Sequence, residues 1–181
     1  MPGKNKNEKK PERKDKAVLH FDWRAKPTTI KDIIKMMFPR QQYYQRWAMF
    51  LLRRARRAPW AVEDWPLIVL EYLRENYIFE GLDLDGIEEL LSKYEYYNEN
   101  YSRTRRNKEV SHDFAERYGV SFNKYYMQYR RVLGALTKAG LLKKETGGVE
   151  PSRRFLSWAK ALYDAATEFY LSGVEDVDDM V

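Results

Sequence analysis

Apolar positions recur at helical spacing through most of this chain, and prolines and glycines cut the pattern into separate elements. After Pro27, residues Ile30, Ile33, Ile34 and Met37 share one face, with Thr28 or Thr29 as N-cap and Pro39 as the stop, which predicts a first helix. A second is expected from about Arg40 to Arg57, with Tyr44, Trp47, Ala48, Leu51 and Ala55 inward and Arg46, Arg53, Arg54, Arg56 and Arg57 outward; Pro59 ends it. A third starts with Asp64 as N-cap and Pro66 in its first turn, where the missing N–H has no intrahelical partner to lose, and runs to about Tyr77. Asp85 followed by Glu88 forms a capping-box pattern for a fourth, whose buried stripe is Ile87, Leu90, Leu91 and Tyr94. The segment Tyr101 to Lys108, carrying Arg103, Arg105, Arg106 and Lys108, reads as a basic connection.

Beyond it the pattern changes. Ser111 is placed to cap a short helix, His112 to Tyr118, which Gly119 ends; Val120 and Ser121 make a turn, and a long helix is expected from Phe122 to Ala139. On that helix Phe122, Tyr126, Tyr129, Leu133 and Leu136 point in one direction and form the expected core stripe. The opposite face carries Lys124, Met127, Gln128, Arg131 and Lys138, flanked by Asn123 and Arg130. Gly140 stops the helix, Leu141 and Leu142 return to the core, and Lys143 to Val149 read as a hairpin turning at Gly147 and Gly148. Pro151 and Ser152 open a last helix with Phe155, Trp158, Ala159, Leu162, Ala166 and Phe169 on one face.

Charge sharpens this picture. The net charge of +6 hides alternating blocks: +4 over residues 1 to 16, +8 over 17 to 59, −9 over 60 to 100, +8 over 101 to 154 and −5 over 155 to 181. Residues 1 to 17 lack the apolar content to anchor a fold and are expected to be a disordered basic arm, residues 18 to 101 a helical region, and residues 174 to 181 an acidic tail. Between Phe122 and Ala139 there is Lys124, Arg130, Arg131 and Lys138 but no carboxylate. A solvated helix usually mixes the two signs, because opposite charges at i and i+4 support it. An unbalanced cationic face fits a polyanionic partner, with phosphate its natural ligand.

In order of elements, residues 102 to 173 resemble the winged helix-turn-helix family, particularly its compact archaeal, phage and plasmid members. The resemblance rests on Ala115, Glu116, Gly119, Val120 and Ser121 at the turn and on Leu133, Leu136, Ala139, Gly140, Leu141 and Leu142 leading into the wing. From Gly119 to Gly140 is 21 residues, about one helical turn more than the family's usual spacing. The resemblance implies a mainly α chain: an N-terminal helical region plus a C-terminal winged helix-turn-helix with a short β-hairpin wing. It also implies that the Phe122 helix enters the major groove of duplex DNA. Ser121, Asn123, Lys124, Gln128 and Arg131 would then face bases, Arg130, Lys143, Lys144, Arg153 and Arg154 would face the backbone, and Lys138 would belong to the same DNA-binding surface. A homodimer through the C-terminal helix is a further expectation, the alternative being burial of that helix against the N-terminal ones.

Other classes are poorly served. There is no cysteine, and His20 and His112 form no metal pair, so neither thiolate zinc nor a cysteine nucleophile is available. No phosphate-cradling or nucleophile-elbow motif occurs, so a non-enzyme without cofactor or small-molecule ligand is expected. Asp83, Asp85 and Gly86 suggest a calcium loop only superficially, and capping accounts for them better. Without a membrane-length apolar run or a signal-like N-terminus, a cytoplasmic location is expected. Tyr125, Tyr126 and Tyr129 admit stacking on unpaired bases, although periodicity assigns two of them to the core and leaves Tyr125 open. The main expectation is a sequence-specific duplex binder acting in transcription or at an origin or partition site; the alternative is a non-specific packaging or assembly protein of a mobile element or virus.

Overall fold

A computed structural model describes residues 29 to 171, so the basic arm, the acidic tail and His20 lie outside the described residues. The chain is mainly helical with one small antiparallel sheet. Helix α1 (Ile30–Met37) opens on a reciprocal cap in which Thr29 accepts from the Asp32 N–H and Asp32 accepts from the Thr29 N–H. Helix α2 (Gln42–Arg57) buries all five residues expected inward and Phe50 besides. The extra buried position follows from its placement: α2 is packed on α1, α6 and the second strand, and Trp47 and Phe50 both meet Tyr72 of α3, so its apolar face is wider than a single stripe.

After a single 3₁₀ turn (Val62–Asp64), α3 (Trp65–Glu80) runs through the middle of the molecule. Ile68, Val69, Leu70, Tyr72 and Leu73 are all inaccessible, a wide buried face that leaves Glu71, Arg74 and Glu75 as its polar flank. Regular geometry breaks at Asn76 (φ −123°, ψ 16°), close to the expected end, before a final turn reaches Glu80.

Helix α4 (Leu84–Asn100) buries the predicted stripe Ile87, Leu90, Leu91 and Tyr94. Its cap is Asp83, two residues earlier than expected, whose carboxylate accepts from the Gly86 N–H at 2.8 Å. That N–H and the guanidinium of Arg117 hold the Asp83 carboxyl below its ordinary range. Gly86 is where α5 crosses, and a Cβ there would collide with the Arg117 side chain and the Tyr118 hydroxyl.

The largest departure from expectation is α5 (Arg103–Tyr118), which absorbs the segment read as a basic connection and begins at Ser102, not Ser111. Ser102 accepts from the Arg105 N–H, while Ser111 sits mid-helix and donates to the Asn107 carbonyl. Arg106, Val110 and Phe114, four residues apart, make the inward stripe. Arg106 is only 3% exposed: it donates to Asp64 (3.2 Å), Asn98 (2.6 Å), the Glu63 carbonyl (3.0 Å) and Asn107 (3.0 Å), and lies over the Tyr94 ring. A charge so enclosed is tolerated because its donors are satisfied.

Gly119, at φ 64°, closes α5, and Gly119 to Phe122 lead into α6 (Asn123–Lys138). Strands β1 (Leu142–Glu145) and β2 (Gly148–Pro151) form the expected hairpin, pairing Leu142 with Pro151 and Glu145 with Gly148. Val149 also exchanges two backbone bonds with Trp60, at 2.8 and 3.3 Å, tying the hairpin to the segment after α2. One buried cluster extends from Ile34 to Val149. Helix α7 (Arg154–Leu171) leaves the hairpin through bonds from the Phe155 N–H to the Gly140 carbonyl and from the Ser152 N–H to the Leu141 carbonyl.

Gly148 adopts φ 150°, and a Cβ there would stand 2.2 Å from the Trp60 carbonyl oxygen. Gly148→Ala is therefore expected to break the Trp60 bridge and lower stability by roughly 2 kcal/mol. Urea unfolding followed by circular dichroism checks this, and an unchanged midpoint contradicts it.

Candidate nucleic-acid interface

The inward residues of α6 are Phe122, Tyr125, Tyr129, Val132, Leu133 and Leu136. The stripe is rotated from the expected one toward α2 and α3, so Tyr125 is buried and Tyr126 lies at its edge, half-buried against Trp65. Burial, and then the nearby Glu80 carboxylate, push the Tyr125 phenol up to about 12. Tyr129 is likewise buried, accepting from the Trp60 indole N–H at 3.0 Å. Neither ring is presented to solvent for stacking on bases.

The rotation determines what faces outward. Asn123, Lys124, Met127, Arg130, Arg131 and Lys138 are exposed on α6, and Ser121 is exposed in the turn before it. Ser121 organises the helix start, its hydroxyl accepting from the Asn123 N–H and its carbonyl from the Lys124 N–H. Lys124 lies over the Tyr125 ring and Arg130 over the Tyr126 ring, so aromatic surface under each cation limits its freedom.

Gln128 behaves differently from its neighbours. It is half-buried at the α2 junction, where its carbonyl accepts from the Trp47 indole N–H at 3.0 Å. Arg131 donates to the Tyr44 hydroxyl at 2.6 Å and stacks over that ring, which fixes the guanidinium on the α2 side of the exposed face. Tyr44, Met127, Gln128, Arg130 and Arg131 enclose a shallow hollow of about 420 Å³ between the two helices. The links from Trp47 and Tyr44 to α6 carry no periodic signature, because they join residues 81 and 87 positions apart.

The hairpin divides its two lysines. Lys143 is held by Glu150 at 2.7 Å and Glu145 at 2.9 Å, which raises its pKa and cancels its charge locally. Lys144 points outward on the neighbouring position and is exposed, as are Arg153 and Arg154 at the foot of α7.

Elsewhere many arginines have carboxylate partners. Arg53 and Arg57 meet Glu75, Arg54 meets Glu71, Arg103 meets Glu63, Arg105 meets Glu109, and Arg117 meets both Asp83 and Glu89. The acidic block on α3 and α4 thus faces arginines of α2 and α5, and of the basic surface expected along α2 it compensates Arg53, Arg54 and Arg57. No carboxylate among the described residues comes within 4.0 Å of Lys124, Arg130, Lys138, Lys144, Arg153 or Arg154.

These features define a mainly helical protein with a cationic, acid-free helix beside a small hairpin. Compared with family models, with curated proteins and with solved structures, the chain matches none of them. Among the described residues no helix is long and apolar enough to cross a membrane.

Gln128→Leu leaves the buried Trp47 N–H without an acceptor and is expected to cost about 1–3 kcal/mol. Chemical denaturation measures it; a loss below about 0.3 kcal/mol means the bond contributes nothing.

Proposed function

We propose that this protein binds duplex DNA as a winged helix-turn-helix, laying the outward face of α6 in the major groove with the hairpin alongside. The observation that carries the reading is the contrast in charge pairing: most arginines of α2 and α5 have carboxylate partners, whereas Lys124, Arg130 and Lys138 of α6 have none among the described residues. A surface that leaves cations uncompensated on one helix gives up stability there, and phosphate returns it on binding. Asn123 and Arg131 supply the base-edge chemistry, matched to adenine and guanine respectively. Ser121 stands at the turn, and Lys144, Arg153 and Arg154 flank the groove as backbone contacts. Gln128 acts by holding α6 on Trp47, and Lys143 stays with its two glutamates. The polar residues at the start of α6 favour sequence-specific recognition over uniform coating.

Two copies are proposed to pair through α7, a two-fold arrangement suited to paired half-sites on DNA. Leu156, Leu162 and Tyr163 are each more than half exposed along this 18-residue helix.

Arg131→Ala and Lys124→Ala should each weaken duplex binding in gel-shift titrations, Lys124→Ala also lowering the salt slope by roughly one. Lys143→Gln should leave affinity unchanged. Unaltered binding by Arg131→Ala and Lys124→Ala to every duplex tried removes α6 as the binding surface. Sedimentation equilibrium should give a dimer that Leu162→Glu converts to a monomer; a wild-type monomer at high concentration rejects pairing.

A further inference from the structure

A second concentration of uncompensated positive charge lies in a cleft of about 710 Å³ where α1, α2 and α3 meet. Ile34 and Met49 supply apolar floor, Lys31 and Lys35 project from α1, Arg46 from α2, and Phe79 from the end of α3. That size is typical of small-molecule sites, which combine an apolar lining with a few directed polar groups.

The charges are not balanced from within. Glu75 also lines the cleft, but Arg53 and Arg57 hold its two oxygens at 2.9 and 3.5 Å. Glu80 nearby accepts from the Tyr72 hydroxyl. No described carboxylate lies within 4.0 Å of Lys31, Lys35 or Arg46.

Arg46 is the informative residue. Its guanidinium stacks 4.6 Å from the Phe79 ring centroid and lies near the Tyr72 hydroxyl, so its plane is fixed before any ligand arrives. Its Nε is buried, so a ligand in the cleft would meet the terminal nitrogens of the guanidinium. Phosphate oxygens match the guanidinium fork, and two lysines opposite add the charge that a dianion requires. Phe79, 68% exposed at the rim, offers apolar surface to the organic part of such a ligand.

We propose that this cleft binds a phosphorylated small molecule of about mononucleotide size, with its phosphate on Arg46, Lys31 and Lys35 and its organic body toward Met49 and Phe79. The site is separate from the DNA-binding face and stands independently of that reading.

Isothermal titration of the full chain with adenosine 5′-monophosphate, inorganic phosphate and adenosine tests the proposal. Saturable binding of the monophosphate with a Kd below about 1 mM is expected, with inorganic phosphate weaker and adenosine without detectable affinity. Arg46→Gln should abolish binding. Lys31→Glu/Lys35→Glu, on the exposed side of α1 where folding is not at stake, should weaken it at least tenfold while circular dichroism stays unchanged. No saturable binding of the monophosphate, equal binding of adenosine, or undiminished affinity in the Lys31→Glu/Lys35→Glu variant each overturn the proposal. If that variant instead loses duplex affinity while the wild type ignores the monophosphate, the phosphate belongs to a nucleic-acid backbone and the small-molecule site is rejected. Failure of the α6 reading appears separately, in the duplex binding of Arg131→Ala.

Discussion

Trp47 lies flat against Tyr72, ring centroids 3.5 Å apart, with its edge toward Phe50 and its indole N–H on Gln128. Through one fully buried side chain α2, α3 and α6 share a contact, so none of them shifts without disturbing the other two. The ring supplies a large apolar area and, at its polar end, a hydrogen bond that specifies which residue of α6 faces α2. Fixing Gln128 at the junction fixes the rotation of α6, and with it which side chains are left outside. The cationic surface is in this sense a product of the core.

Electrostatics then separates structural from available charge. Arg106 is enclosed and locks the 3₁₀ turn to α4 and α5, while the acidic flank of α3 and α4 absorbs the arginines of α2 and the end of α5. Surface pairs of this kind contribute little stability individually. Their collective effect is to offset positive charge along α2 and α5, while Lys124, Arg130 and Lys138 on α6 and Arg153 and Arg154 at the foot of α7 have no carboxylate within 4.0 Å among the described residues.

Helices with a strong 3.6-residue period are readable from residue order alone: the inward faces of α2 and α4 agree with expectation, as does the hairpin between Leu142 and Pro151, whereas on α1 Ile34 and Met37 are buried but Ile30 is exposed. The start of α5 was not readable, because its inward stripe begins with an arginine, and a cluster of Arg103, Arg105 and Arg106 looks like solvated chain until Asp64 and Asn98 are brought to it by folding. The orientation of α6 was misjudged by about one position for a related reason. Tyrosine satisfies either side of an amphipathic helix, and the choice between Tyr125 and Tyr126 is made by α2 and α3 pressing on one flank. Of the site, Lys124, Arg130, Arg131 and Lys138 were legible from the absence of acidic neighbours. The engagement of Gln128 and the neutralisation of Lys143 depend on partners that no local pattern reveals.

The attachment of α7 carries a mechanical consequence. The helix is about 27 Å long at 1.5 Å per residue, and it starts where the Phe155 N–H meets the Gly140 carbonyl and Gly140 sits at φ 74°. Over that length a rotation of about 10° at Gly140 corresponds to roughly 5 Å at the far end, comparable to one turn of helix. The direction of α7 is therefore decided at the base of the hairpin, beside the end of α6.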